Sequence, residues 1–336
     1  MSDNILCLLP TNADGSLSRI SLECLAAAAA LKQQSGASLT VGCWGKAPAE
    51  GIAACQADRY CLVEGEAFTA PRYATDVAAT EALVKTSGAS IILAPATSRV
   101  QRFMAGLSAR LGGVVDTHAT GITFADGKFT ATRWYYRQRI ETMISRKEVR
   151  PWLLSLESGC AEAIATGEQV SFEPVEAPAV QSRTRIKTIE ATSGGDQTIR
   201  PDSDMLFVAG AGWTKKQSDG SVKTDKAAAI ILDFINRRKA SLGSSKSMVD
   251  LSSEGHAVLP FLTHLHQIGQ TGATPRHLKG LSTCCHGEEP HAVGWRFVKE
   301  RRAINLDANC GWAHGKADVL YVADAFEVME KVNAML

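Results

Sequence analysis

Ser90-Ile91-Ile92-Leu93-Ala94-Pro95-Ala96-Thr97-Ser98-Arg99-Val100-Gln101-Arg102-Phe103-Met104-Ala105-Gly106-Leu107 is the stretch on which the fold turns. Ser90 to Pro95 is a short apolar run with the length of a buried strand. Ser98 can cap the helix that follows. Val100, Phe103, Met104, Leu107 and Leu111 then recur at a spacing that puts all five on one helical face. Gly112-Gly113 reads as the end of that helix rather than a ligand loop. A strand that hands over directly to an amphipathic helix is half of a strand–helix–strand unit. Repetition of such units builds a parallel sheet covered on both faces.

The same alternation runs back to the N-terminus. Strand candidates are Ile5 to Pro10, Leu39 to Trp44 and Arg59 to Val63, separated by helix candidates at Leu22 to Gln34 and Thr75 to Thr86. No phosphate loop of recognised type occurs in this half. From Thr120 to Phe172 the pattern changes to β-branched and aromatic residues, through Trp152 to Leu156, with Asp126-Gly127 placed as a hairpin turn. Arg133-Trp134-Tyr135-Tyr136-Arg137-Gln138-Arg139 superficially resembles a nucleic-acid patch, but its alternation fits an exposed or interface strand better. Prolines, a Ser-Gly-Gly turn and several charges between Glu173 and Pro201 contain the expected interdomain linker.

A second α/β series follows. Met205 to Ala209 reads as a buried strand ending in Gly210-Ala211-Gly212. A helix over Lys226 to Arg238 buries Ala227, Ile230, Ile231, Phe234 and Ile235. Leu278 to Leu281, Arg302 to Ile304 and Val319 to Val322 read as strands, and Asp324 opens a last helix with Phe326, Val328, Met329 and Val332 inward. Open parallel sheets bind ligands outside the carboxyl ends of their strands, where the glycines, Asn305 and Asp324 fall. Gln267-Ile268-Gly269-Gln270-Thr271-Gly272 adds two glycines that let backbone amides approach a ligand, with Gln and Thr donors beside them. By composition alone it is a turn; its place in the order of strands gives it weight.

Composition bounds the function. The 336 residues suffice for two domains, and 45% apolar with 21% charged residues describes a soluble globular chain. A net charge of +1 supplies no basic field for nucleic acid or a membrane surface. No apolar run is long enough to span a bilayer, so membrane insertion is not expected. Met1-Ser2-Asp3-Asn4 leads straight into Ile5 to Leu9 without a basic region or cleavage signature. Nine scattered cysteines read as reduced thiols of a cytoplasmic protein. Seven of eight histidines lie after residue 255, and Cys284-Cys285-His286, His291, Cys310 and His314 offer metal-type ligands. Adjacent cysteines rarely reach one metal and no Cys-x-x-Cys pair exists, so buried thiols and loop histidines are expected there instead of a metal.

Taken together, the motifs make the chain resemble the α subunit of electron transfer flavoproteins, almost end to end. The resemblance is carried by the strand with Gly210-Ala211-Gly212, then Gly243-Ser244-Ser245-Lys246-Ser247, Gln267 to Gly272, Ala303-Ile304-Asn305 and Val322-Ala323-Asp324, in the family's order. Leu93 to Thr97 and its helix match more weakly. The resemblance implies two three-layer α/β domains with parallel sheets. Residues 1–190 would form an N-terminal domain with a β-rich, partner-contacting region and the linker, and 191–336 a C-terminal Rossmann-like FAD-binding domain. It also implies FAD contacts at Ser245, Lys246, Ile268, Gly269, Gln270, Thr271, His286, Gly287, Glu288, Glu289, Pro290, His291, Asn305, Asp324 and Ala325. Thr271 and neighbouring amides would face the flavin ring, His291 its carbonyl edge, and Asn305 and Asp324 the adenosine end.

The implied function is an electron-carrier subunit, not a catalyst on its own. It would pair with an electron transfer flavoprotein β-like subunit as a heterodimer and take electrons from a flavoprotein dehydrogenase or demethylase. Two alternatives are a fixed subunit of a multi-subunit oxidoreductase, such as an amine or methylated amino-acid demethylase, and a nucleotide-binding module without a redox role. The chain departs from the family at Ala211 and Lys246, where the family carries arginines, and at Glu288-Glu289, where its loop is neutral. Lysine loses the planar, bidentate contact of arginine. Restoring arginine at 211 and 246 is therefore expected to tighten FAD, and the looser site suits one dedicated partner enzyme.

Overall fold

The computed structural model describes residues 4–136, 140–147, 151–188, 200, 203–250, 257–268, 277–283, 295 and 298–336. The chain divides into two compact units, Met1–Ile189 and Glu190–Leu336. Both are α/β units built on mostly parallel sheets with helices packed around them.

In the first unit β1 (Asn4–Pro10), β2 (Ser38–Gly45), β3 (Arg59–Glu64), β4 (Ile91–Pro95), β5 (Val114–Ala125), β6 (Lys128–Tyr135), β7 (Ile140–Ser145), β8 (Trp152–Leu156) and β9 (Glu173–Pro174) form one sheet. Its order is β7-β6-β5-β8-β4-β1-β2-β3-β9. All pairings are parallel except β5 with β6 and β6 with β7. The β5–β6 turn is the expected one: Asp126 (φ 51°) and Gly127 (φ 72°) both take the left-handed conformation that matches strand twist. Two apolar clusters cover the sheet. Cys7, Leu9, Leu25, Leu39 and Leu154 lie in one, and Leu6, Leu8, Trp44, Phe103 and Leu153 in the other. Alternate residues of β1 therefore serve opposite layers, as the period of a strand requires.

Several boundaries differ from the sequence expectation. Thr97, not Ser98, caps the helix Ser98–Arg110, accepting a hydrogen bond from the Val100 amide at 3.3 Å. Leu111 falls just past the helix and is half-buried, because Gly112 (φ 62°) turns the chain there. The β-rich region begins at Val114, and β8 returns to insert between β4 and β5. Glu173-Pro174, expected in the linker, pairs with β3 and belongs to the first unit.

In the second unit β10 (Met205–Ala209), β11 (Ser241–Ser244), β12 (Lys279–Thr283), β13 (Glu300–Asn305) and β14 (Val319–Val322) form an all-parallel sheet in the order β11-β10-β12-β13-β14. The strand expected at Leu278 to Leu281 starts one residue later and runs to Thr283. The helix Thr224–Arg238 buries Ala227, Ile230, Ile231, Phe234 and Ile235, the five residues its periodicity selects. It packs with the helix Ala325–Met335 on one face, and Ile268, Trp295 and Trp312 cover the other. Because β10 pairs with β11 on one side and β12 on the other, the chain reverses direction across the sheet at β10. A ligand crevice belongs at the carboxyl end of such a reversal.

Candidate functional site

The carboxyl edge of the second sheet is level. Ala209 pairs with both Ser244 and Thr283, Thr283 with Ile304, and Asn305 with Val322. Strand register alone therefore brings residues from five sequence segments to one rim.

At the β11 end, Ser245 is fully buried. Its amide donates to the Ala209 carbonyl at 3.0 Å, and its hydroxyl accepts from the Met248 amide at 3.3 Å. The hydroxyl thus starts the short helix Lys246–Asp250. Lys246 projects outward, with Nζ 3.8 Å from Asp250 Oδ2. Ile268 reaches the rim through its amide, which donates to the Ser244 carbonyl at 3.2 Å, while its side chain is fully buried. Gly243 is what admits it: a Cβ there would stand 2.7 Å from Ile268 Cδ1. Beside them the Ser244 hydroxyl is buried with no hydrogen-bond partner among the described residues.

At the β13–β14 end a narrow cleft of about 10 Å³, room for about one water, is lined by Gln217, Ile304, Asn305, Leu306, Ala323, Asp324 and Ala325. Asn305 Oδ1 accepts from the Asp307 amide at 3.0 Å, and the Asn305 carbonyl from the Ala323 amide at 3.2 Å, which ties the two strand ends together. Asp324 caps the helix Ala325–Met335, its Oδ1 accepting from the amides of Phe326 (2.7 Å) and Glu327 (3.4 Å). Ala325 is buried beneath it.

The middle of the rim is filled by the chain itself. Ala211, Gly212, Trp213 and Thr214 form a buried turn after β10. The Trp213 indole donates to Thr283 Oγ1 at 2.8 Å and packs on Phe326 at 4.6 Å between ring centroids. Gln217 then closes the cleft from this loop. Its neighbour Asp219 has its carboxyl held well below the ordinary range by hydrogen bonds from Lys223 and Ser221. Gln217 was not singled out from sequence. Its signal is positional, since it sits on the loop after a central strand, where ligand contacts gather.

Of the expected contact residues, the structure gathers Asn305, Asp324 and Ala325 around one cleft and Ser245, Lys246 and Ile268 at the other end of the same rim. Gly269, Gln270, Thr271, His286, Gly287, Glu288, Glu289, Pro290 and His291 lie outside the described residues, as do Cys284 and Cys285. Cys310 is buried, and His314 Nε2 lies 2.6 Å from the Ala308 carbonyl. Among the described residues no group of three or more His, Cys, Asp or Glu could hold a metal, and no helix is long and apolar enough to cross a membrane.

The donor set at the rim of the cleft suits hydroxyl and amide partners. Asp324 spends one carboxylate oxygen on the helix and leaves the other for a hydroxyl, with an amide side chain and apolar walls beside it. The crevice itself has room for about one water, so it presents polar groups at its rim and is not a pocket for a ring.

Comparison with known proteins places the chain in a family through its whole length and, more specifically, its first unit. Over 328 residues, 94% of this chain and 94% of the relative, the sequence is 22% identical to electron transfer flavoprotein subunit alpha of Methylophilus methylotrophus. A family model described as electron transfer flavoprotein domain matches residues 5–182. That match covers more than half of the 336 residues, and the chain belongs to the electron transfer flavoprotein domain family.

Proposed function

We propose that this chain is the α-like subunit of an electron transfer flavoprotein, that its second unit binds FAD along the carboxyl rim of β11 to β14, and that it works as a heterodimer with a β-like subunit. The observation that carries the reading is the convergence of Gln217, Asn305, Asp324 and Ala325 on one cleft, with Ser245 and Lys246 on the same rim. A bound flavin supplies one- and two-electron redox chemistry. The protein's part is to hold and orient it. Asp324 and Asn305 take the ribose and base, and Lys246 offers charge to the phosphates. Gly269 to Thr271 and His286 to His291 take the ring end, by resemblance to the family. Electrons then pass from a flavoprotein dehydrogenase or demethylase to a later acceptor.

The partner surface we assign to the antiparallel extension of the first unit. Tyr135, Tyr136, Ile140 and Met143 on β6, β7 and their connection are exposed large apolar residues, and contiguous exposed apolar side chains mark interaction surfaces. Co-expression with a β-like subunit tests the whole reading. The purified complex should be yellow and release FAD on denaturation. A complex without flavin that also fails to take up added FAD overturns it.

A further inference from the structure

Arg133 on β6 has donors and no acceptor. Asp116 Oδ1 stands 3.9 Å from its Nη1, beyond hydrogen-bond range, and no other acid pairs with it among the described residues. Asp116 is already served by other groups. The Trp152 indole donates to Oδ2 at 2.8 Å, and Arg146 Nη2 donates to the same oxygen. Two guanidiniums therefore share one buried carboxylate, and one positive charge is left over. Arg133 is also partly desolvated. Its Nε is buried with no partner among the described residues, and its guanidinium lies over the Tyr135 ring, 4.9 Å from the centroid. Nη1 and Nη2 are not closed off in this way, and the side chain stays 26% exposed.

Strand register sets this charge in an apolar frame. Across β6 and β7, Arg133 pairs with Thr142 and Tyr135 with Ile140, so all four side chains stand on one face of the sheet. Tyr135 and Ile140 are exposed there. A guanidinium stacked on an aromatic ring beside exposed apolar side chains has the composition of an interface anchor. Its two outer nitrogens match a carboxylate, which can accept two parallel hydrogen bonds. A single excess charge offers little to a polyanion such as nucleic acid, whose hold needs many. We propose that Arg133 anchors the partner surface, and that a carboxylate side chain of the β-like subunit docks on it beside the Tyr135–Ile140 pair; this rests on the heterodimer reading above.

Dilution of the co-purified complex, followed by sedimentation, tests it. Arg133→Met keeps the apolar stem and leaves Asp116 paired with Arg146 and Trp152, so the thermal unfolding midpoint should not change. The subunits should then separate at about ten- to hundredfold higher concentration, the size of one charge-assisted contact. Arg133→Glu should weaken the pair further, because like charges then meet, and added salt should narrow the gap between the two variants. Variants with the parent's affinity overturn the role of Arg133 and leave the heterodimer intact. Equal losses in the two variants overturn the carboxylate partner. A loss that comes with a lower unfolding midpoint in Arg133→Met overturns the anchor too, because Arg133 would then only brace β6. Two copies of this chain pairing through this face, and split by the same variants, would make a second copy the occupant and overturn it. A wild-type chain that pairs with no β-like subunit overturns both readings.

Discussion

The guanidinium of Arg99 grips one oxygen of Asp76, with Nη2 at 2.7 Å and Nε at 3.1 Å from Oδ1. The remaining donors go to the carbonyls of Thr11, Thr69 and Phe68, and the guanidinium lies over the Trp44 ring, whose Nε1 also donates to Asp76 Oδ1 at 2.8 Å. Thr11 follows β1, Trp44 lies near the end of β2 and Arg99 follows β4. The first sheet reverses direction between β1 and β4, so this is where an open α/β sheet would take a ligand. In this unit a largely buried cation, its buried carboxylate and an indole fill that place. A phosphate arriving there would meet Asp76 and find every Arg99 donor engaged.

Removing one partner of such a pair strands the other in a low-dielectric site. Arg99→Ala should lower the stability of the first unit by about 3–5 kcal/mol. Arg99→Met combined with Asp76→Leu should recover much of it, because the buried charge is then gone. Urea unfolding followed through Trp44 fluorescence measures both. A single variant within 1 kcal/mol of the parent would show that the network contributes little.

Ser244 gives a contrasting case. Its buried hydroxyl has no partner among the described residues, so the protein carries a desolvation cost that alanine removes. Ser244→Ala should leave the flavin-free protein as stable as the parent or stabilise it by up to about 1 kcal/mol. A loss above that, read from denaturation midpoints, would mean the hydroxyl is engaged.

The buried thiols set an alkaline limit. Burial, followed by the nearby Glu23 charge, pushes the Cys160 thiol up to about 12, and burial pushes Cys24 and Cys43 well above the ordinary thiol range. Burial also raises Tyr60 to about 12. Folded values above unfolded ones mean that the neutral form is favoured by folding. The associated stability is complete below about pH 8.5, the free thiol value, and is lost as pH rises toward 12. Denaturation midpoints taken from pH 7 to 11 should fall, and the fall should be shallower in Cys160→Ala. At pH 8 these three thiols should resist alkylation in the folded protein, which peptide mass mapping reads directly.

What was legible in the sequence follows from the range of the forces involved. Val100, Phe103, Met104 and Leu107, and the five buried residues of Thr224–Arg238, declare their faces through local spacing. Asp126-Gly127 declares its turn through backbone sterics. The insertion of β8 between β4 and β5 is a choice among distant partners, and no pattern within Trp152 to Leu156 names them. At the site, Asn305 and Asp324 were readable because they end strands. The bracing of Gln217 by Gly212 and Lys215, and the burial of Ala211, depend on how one loop folds back and could not be read from spacing.

That burial changes one sequence expectation. The resemblance implies arginines where Ala211 and Lys246 stand, and both positions were expected to accept arginine again. Lys246 can, because its side chain is 65% exposed and its ammonium lies 3.8 Å from Asp250. Lys246→Arg should change stability by less than about 0.5 kcal/mol, as surface substitutions do. On the FAD reading proposed above it should also tighten FAD a few-fold, since a guanidinium can bind phosphate with two parallel hydrogen bonds. Ala211 is fully buried in a turn whose four residues are all buried, and the Thr214 hydroxyl donates to its carbonyl at 3.1 Å. An arginine there must push its own turn aside, and with it the Gly212 carbonyl that orients Gln217. Ala211→Arg should therefore destabilise the protein by about 1–3 kcal/mol from overpacking alone, and should weaken FAD rather than tighten it. Thermal unfolding and flavin titration of the two single variants separate these effects. An Ala211→Arg protein as stable as its parent and tighter for FAD would show that the turn opens readily and that the site lacks only the missing charge.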